Sequence, residues 1–135
     1  MRIMALDYGE QRIGNAMTDL LKILASPFDI YHRKHTDEDF EFFLNLIKSQ
    51  QVDTIVMGLP VNLEGEEQEI ATKARAFAQT LGERSGCEVV LVDERMTSVI
   101  AEDILKQKYR DWRERKQHLD EVSAMVILQD YLDTL

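Results

Sequence analysis

"MALDYGEQRIGNAMTD", residues 4–19, decides the fold. Two runs of strand-forming residues, 2–8 and 12–19, flank Tyr8-Gly9-Glu10-Gln11. A connection this short joins antiparallel neighbours, so the stretch reads as a hairpin. Its anomaly is Asp7, a carboxylate that interrupts a hydrophobic strand just before the turn.

Downstream, a third strand is expected near Leu24 to His32, and Pro27, lacking an N–H for the ladder, puts it at a sheet edge. Thr36-Asp37-Glu38-Asp39 opens a helix, with Thr36 as the cap, Asp39 at the capping-box position and Phe40, Phe43, Leu44 and Ile47 on one apolar face. Residues 52–57 form a buried strand closed by Gly58 and Pro60. Residues 66–85 carry Ile70, Ala74, Phe77, Ala78 and Leu81 at helical spacing. "CEVVLVDE", residues 87–94, is the last strand, and its continuous apolar character predicts burial on both faces. Thr97 caps a third helix with Ile100, Ile104 and Leu105 inward. Asp120 opens a fourth, with Val122, Met125, Val126 and Leu132 toward the core. The order βββαβαβαα describes one α/β domain over residues 1–135, an antiparallel meander followed by right-handed parallel crossovers.

Composition narrows the function. With 44% hydrophobic and 30% charged residues in 135, the chain has the make-up of an ordered globular domain. A net charge of −9 opposes a generic nucleic-acid coat, whose affinity comes from Lys and Arg releasing counterions. One local basic segment stands out, "KQKYRDWRERKQH", residues 106–118, with Trp112 inside it either to stack on a base or to fold over the domain edge. No apolar run is long enough to span a bilayer, and no signal-like segment follows Met1-Arg2, so the expected location is the cytoplasm, away from membranes. The single cysteine, Cys87, has no disulfide or zinc partner pattern and reads as a small apolar residue leading into a strand.

Sites in open α/β sheets gather beyond the carboxyl ends of the parallel strands. Here those ends are Asp7-Tyr8-Gly9, Gly58-Leu59-Pro60 and Asp93-Glu94. If the first strand lies beside the fourth, Asp7 and the Asp93-Glu94 pair share one side of the molecule, and Asp120 can join them. Two carboxylates about 4 Å apart repel by roughly 4 kcal/mol at a protein surface. Such a cluster is tolerable if one acid is protonated or a hard cation such as Mg²⁺ or Mn²⁺ neutralises it. Each acid also has a plain structural use: Asp7 in a turn, Glu94 paired with Arg95, Asp120 as a helix cap.

Four blocks, "ALDYGEQRIGNAMTD", "VMGLPVNLEGEEQE", "VDERMTSVIAED" and "LDEVSAMVILQDYLD", spread over nearly the whole chain in this order. Together they resemble the YqgF (RuvX) family of the RNase H-like superfamily. The first block alone also resembles the phosphate-binding strand of sugar kinases and actin-like ATPases, which need two such domains to enclose a nucleotide. The resemblance implies a three-layer RNase H-like fold, with a five-stranded mixed sheet flanked by helices. It implies a metal-dependent endonuclease, using Mg²⁺ or Mn²⁺, that matures the 5′ end of 16S rRNA or, by likeness to resolvases, cuts Holliday junctions in recombination and repair. Precursor rRNA, branched DNA and ribosomal particles are the implied partners, for a monomer or homodimer.

The family's acidic triad falls on Asp7, Glu94 and Asp120, as catalytic residues and metal ligands, and prefers Glu94 to Asp93, a choice that strand alternation leaves open. Substrate contacts are expected from Arg12, Asn62 and Arg95, and from Arg110 and Arg113 in the basic segment. Gly9 and Gly14 allow close backbone approach around the hairpin. Gln11 stands where the family usually has Lys, Asn15 where an apolar residue is usual, and Glu66 where a small hydroxyl residue is common, which weakens the grip on nucleic acid. The competing reading is a noncatalytic protein of the ribosome or transcription machinery that keeps its acids for folding.

Overall fold

The computed structural model describes residues 1–60, 68–94 and 97–135, without the side chains of Thr97, Ser98, Lys116, Gln117, Asp120 and Glu121. Its elements are β1 (Arg2–Tyr8), β2 (Arg12–Thr18), β3 (Ala25–His32), α1 (Thr36–Ser49), β4 (Val52–Leu59), α2 (Glu69–Ser85), β5 (Glu88–Asp93), α3 (Thr97–Lys108) and α4 (Trp112–Leu132). The strands form one sheet in the order β3-β2-β1-β4-β5. β1, β2 and β3 pair antiparallel, whereas β1–β4 and β4–β5 are parallel. The hairpin therefore sits mid-sheet, with the two crossover strands beyond it.

Alternation along the strands divides the core into two layers. On one face, Leu6, Tyr8, Ile13 and Met57 pack with Phe40, Phe43, Phe77 and Leu81 of α1 and α2. On the other, Ile3, Ala5, Ala16 and Val56 pack with Ala124, Ile127 and Leu128 of α4. The small side chains on this second face let α4 lie close to the sheet. At the hairpin tip, a Cβ on Gly9 would run into the Arg12 carbonyl, so the turn requires glycine there.

Several expectations need correction. β4 continues through Gly58 to Leu59 instead of closing at Met57. β5 is an outer strand with Glu88, Leu91 and Asp93 exposed, so its apolar run does not mean burial on both faces. In α3 the inward residues are Ala101 and Leu105, while Ile100 and Ile104 are 46% and 37% exposed, because α3 packs on α4 and not on the sheet. His35, not Thr36, holds the N-cap position of α1, and no side chain bonds there as a cap. Asp120 does not open a helix: α4 begins at Trp112, and its cap is Asp111, whose carboxylate accepts from the Arg113 N–H. The start of α2 before Glu69, expected from residue 66, includes positions outside the described residues.

Candidate active site

Asp7 and Glu94 arrive on the same face of the sheet by two independent alternations. Asp7 continues the row of Ile3 and Ala5, which faces α4. In β5, Val90 and Val92 pack on that same layer, and Glu94 is the next residue of this parity. Asp93 has the opposite parity and is exposed. Of the two acids, Glu94 is the one on the α4 side of the sheet, with Asp7. The Glu94 N–H donates to the Leu59 carbonyl at 3.1 Å, which extends the β4–β5 ladder one residue and fixes the backbone that carries the carboxylate.

Gly58 makes room for that carboxylate. A Cβ at this position would overlap Glu94 Oε2 and the Ile127 Cδ1 methyl group. Glu94 Oε2 is thereby buried with no hydrogen-bond partner among the described residues. Burial first, then the charges of Asp7 and Asp93, push the Glu94 pKa up to about 8. Desolvation and like charge both disfavour the ionised form. A bound cation would remove both penalties.

Asp120 lies in the third turn of α4, four residues before Ala124 and seven before Ile127, both buried against the sheet. Position 120 therefore belongs to the sheet-facing stripe of the helix, and its mid-helix location removes the capping role. Its side chain is outside the described residues. Among the described residues no group of three His, Cys, Asp or Glu side chains stands ready as a metal site. Asp7 and Glu94 lie on the sheet face that α4 covers, and backbone position 120 is on the stripe of α4 that turns to this face.

The other expected contacts are scattered. Arg12 is exposed at the start of β2, beside the hairpin tip. Asn62 and Arg95 lie outside the described residues, as does Glu66. Arg110 and Arg113 are exposed at the α3–α4 corner, and Arg113 sits about 10 Å along the helix axis from position 120 at 1.5 Å per residue. Trp112 is 60% exposed, with the Arg113 guanidinium 5.6 Å from its ring centroid, and it lines a hollow with Leu105, Arg115 and Leu119. Arg115 is used structurally: its Nη1 donates to the Tyr109 and Arg110 carbonyls at 3.3 and 2.8 Å.

A polar clamp that sequence reasoning missed holds the strand end carrying Asp7. Asp39 is fully buried and accepts from Tyr31 Oη (2.7 Å), the Lys34 N–H (2.9 Å) and Arg33 Nε (3.0 Å). Arg33 Nη1 in turn donates to Tyr8 Oη at 2.7 Å and to the Gly9 carbonyl at 3.2 Å. Burial works against the Asp39 charge, but the bonds from Lys34, Tyr31 and Arg33 overcome it and hold the carboxyl below its ordinary range. Burial and the bond to Asp39 push the Tyr31 pKa up to about 12. Asp39 was read as a capping acid; the signal for its larger role was Arg33 close by in sequence, ahead of the same helix.

Comparison with known proteins gives the family. The profile of RuvX, described as Holliday junction resolvase, matches residues 1–134. A protein of Maridesulfovibrio salexigens named "Putative pre-16S rRNA nuclease" is 37% identical over 132 residues, covering 98% of each chain. One of the same name from Endomicrobium trichonymphae is 42% identical over 133 residues, covering 98% of this chain and 95% of its own. Among solved structures, Thermus thermophilus RuvC in complex with a Holliday junction substrate superposes with a TM-score of 0.61 at 11% identity, covering 99% of this chain and 95% of that one. The fowlpox virus Holliday junction resolvase gives 0.63 at 13% identity, covering 99% of both. At such low identity these two structures speak for the fold, which is that of the RNase H-like resolvases. The match along nearly the whole length, in profile and in relatives alike, means that this chain belongs to the RuvX family.

Proposed function

We propose that the chain is a metal-dependent endonuclease whose Asp7, Glu94 and Asp120 hold Mg²⁺ or Mn²⁺ and hydrolyse a phosphodiester bond. The observation that carries this reading is the Glu94 carboxylate, buried over Gly58 with an unsatisfied oxygen and set against the charge of Asp7. A group kept so far from its ordinary ionisation has no evident use in packing, and a cation site accounts for it. The donor set is all carboxylate oxygen, which suits a hard divalent ion. When bound, the metal supplies charge neutralisation and Lewis-acid activation for in-line attack of water on phosphorus.

The residues of the chain do the positioning. The β1 strand end, held by the Arg33 clamp, presents Asp7, and the β4–β5 ladder presents Glu94. Arg12, Asn62, Arg95, Arg110 and Arg113 are assigned to the phosphate backbone of the substrate, with Arg110 and Arg113 approaching from the α3–α4 corner. The substrate is the precursor of 16S rRNA, cut at its 5′ end in the cytoplasm during ribosome assembly. Identities of 37% and 42% to relatives bearing a pre-16S rRNA nuclease name support RNA over branched DNA.

The test is cleavage of a precursor 16S rRNA fragment and of a four-way DNA junction, each with Mg²⁺, with Mn²⁺ and with chelator. Wild type is expected to cut the RNA only with metal. Asp7→Asn is expected to lose at least about two orders of magnitude, as loss of a charge-stabilising group does. Equal cleavage by Asp7→Asn, or none of either substrate by wild type, would defeat the reading. Preferential cutting of the junction would move the substrate to DNA.

A further inference from the structure

We infer that a second polyanion site lies on the far side of the hairpin tip from Asp7. It is a cleft of about 500 Å³ lined by Tyr8, Glu10, Gln11, Arg33, Lys34 and Lys73, and it takes the sugar–phosphate backbone of the nucleic-acid strand. This rests on the reading of the chain as a nuclease, and its cations, Arg33, Lys34 and Lys73, lie outside the four sequence blocks.

Three segments build the cleft: the tip of the β1–β2 hairpin, the β3–α1 connection and the first turns of α2. They bring three cations together in a chain whose net charge is −9. Arg33 is rigid. Its bonds to Asp39, Tyr8 and the Gly9 carbonyl use Nε and Nη1, and its guanidinium stands 4.8 Å from the Tyr8 ring centroid. A guanidinium ordered in advance loses little entropy on meeting a phosphate. Lys34 is exposed next to it.

Lys73 shows how an anionic oxygen is held here. Its Nζ lies 3.0 Å from Glu10 Oε1 and 3.7 Å from Glu69 Oε1, across the mouth of the cleft. All three side chains are substantially exposed, and ion pairs of that kind contribute little to stability. A phosphate oxygen can replace the Glu10 carboxylate at Lys73 at small cost. Glu10 thus acts as a stand-in anion that a strand displaces.

Geometry ties the cleft to the acids. Tyr8 and Asp7 are consecutive in β1, with Cα atoms about 3.8 Å apart, and their side chains point to opposite faces of the sheet. A strand cut at Asp7 reaches this cleft only by passing over the hairpin tip to the opposite face of the sheet. Gln11, which carries no charge, lies on its wall beside Glu10, so the positive charge of the cleft comes from Arg33, Lys34 and Lys73 of other segments.

The experiment is fluorescence anisotropy of a labelled single-stranded RNA and its DNA counterpart, in chelator, over a range of salt. Cleavage is assayed separately with metal. Lys34→Ala and Lys73→Ala are each expected to weaken binding by about three- to tenfold and to lower the log–log salt slope by about 0.7. Glu10→Gln is expected to tighten it by a similar factor. Both lysines are exposed, so the fold tolerates their loss. If both Lys variants bind like wild type while Arg110→Ala and Arg113→Ala weaken binding, the strand does not cross this cleft and the inference falls with the nuclease reading intact. If the Lys variants behave as expected but wild type cuts neither substrate, the cleft stands and the nuclease reading falls. Inorganic pyrophosphate binding that depends on Lys34 and Lys73, with strand binding that does not, would assign the cleft to a free phosphate and overturn the inference.

Discussion

Gly58 and Glu94 meet on the α4 face of the sheet: the strand is bare at Gly58, and the Glu94 carboxylate occupies the space that a side chain there would fill. The glycine was legible as a strand end followed by a loop. Its actual role is to seat an acid from the neighbouring strand.

Gly58→Ala tests that seat. The added methyl meets Glu94 Oε2 and Ile127 Cδ1, and in a close-packed layer such overpacking costs about 1–3 kcal/mol. A lower Tm is expected, together with weaker divalent-ion affinity measured by calorimetry, because Glu94 must move. An unchanged ion affinity would separate Glu94 from the metal.

The ionisation of Glu94 sets a pH dependence. Its folded pKa, raised to about 8 by burial and then by Asp7 and Asp93, lies above its ordinary value of 4.5. Between these values the folded chain keeps a proton that the unfolded chain has released. The contribution is therefore fully present below about pH 4.5, shrinks as pH rises and is gone above about pH 8. Thermal melting in chelator should show wild type losing stability across that window and Glu94→Gln losing less. Parallel curves would mean that Glu94 is not buried against Asp7.

Asn15 is a second position where the chain departs from simple packing. It is fully buried in β2, and neither amide atom has a partner among the described residues. Leaving such groups unsatisfied costs about 1–3 kcal/mol. Asn15→Val, which also suits a strand, is expected to raise the Tm by several degrees. A fall in Tm would show that the amide is hydrogen-bonded in solution.

Asp39→Ala breaks the clamp from the centre. Removing one partner of a buried pair costs about 3–5 kcal/mol, and Arg33, which is 15% exposed, places the loss at the lower end. Denaturant midpoints should fall accordingly, and cleavage should fall further than stability does, since Tyr8 and Gly9 lose their anchor next to Asp7. The Asp39 carboxyl is held below its ordinary range, so its contribution is present above the usual Asp pKa and disappears as pH drops through the lowered value. Acid unfolding of the Ala variant should lack that component.

The sequence by itself determined what local periodicity encodes. Alternating and helical spacing gave the order of nine elements, Pro27 placed β3 at an edge, and the hairpin put Asp7 at a strand end. These are properties of neighbouring residues, so no fold is needed to read them. The tertiary structure decided which face each residue meets, because a face is buried only by what packs on it from elsewhere. The α4 side of the sheet holds Glu94 and not Asp93, seating over Gly58 raised the Glu94 pKa, and the early start of α4 moved Asp120 from a cap to the sheet-facing stripe. The same reason explains the errors at β5 and α3: β5 is an edge strand whose valines are only half covered, and Ile100 and Ile104 of α3 stay partly exposed on a helix that packs on α4. It also explains why the cleft of Arg33, Lys34 and Lys73 was invisible: its charges come from segments far apart in the chain, and only the sheet brings them together.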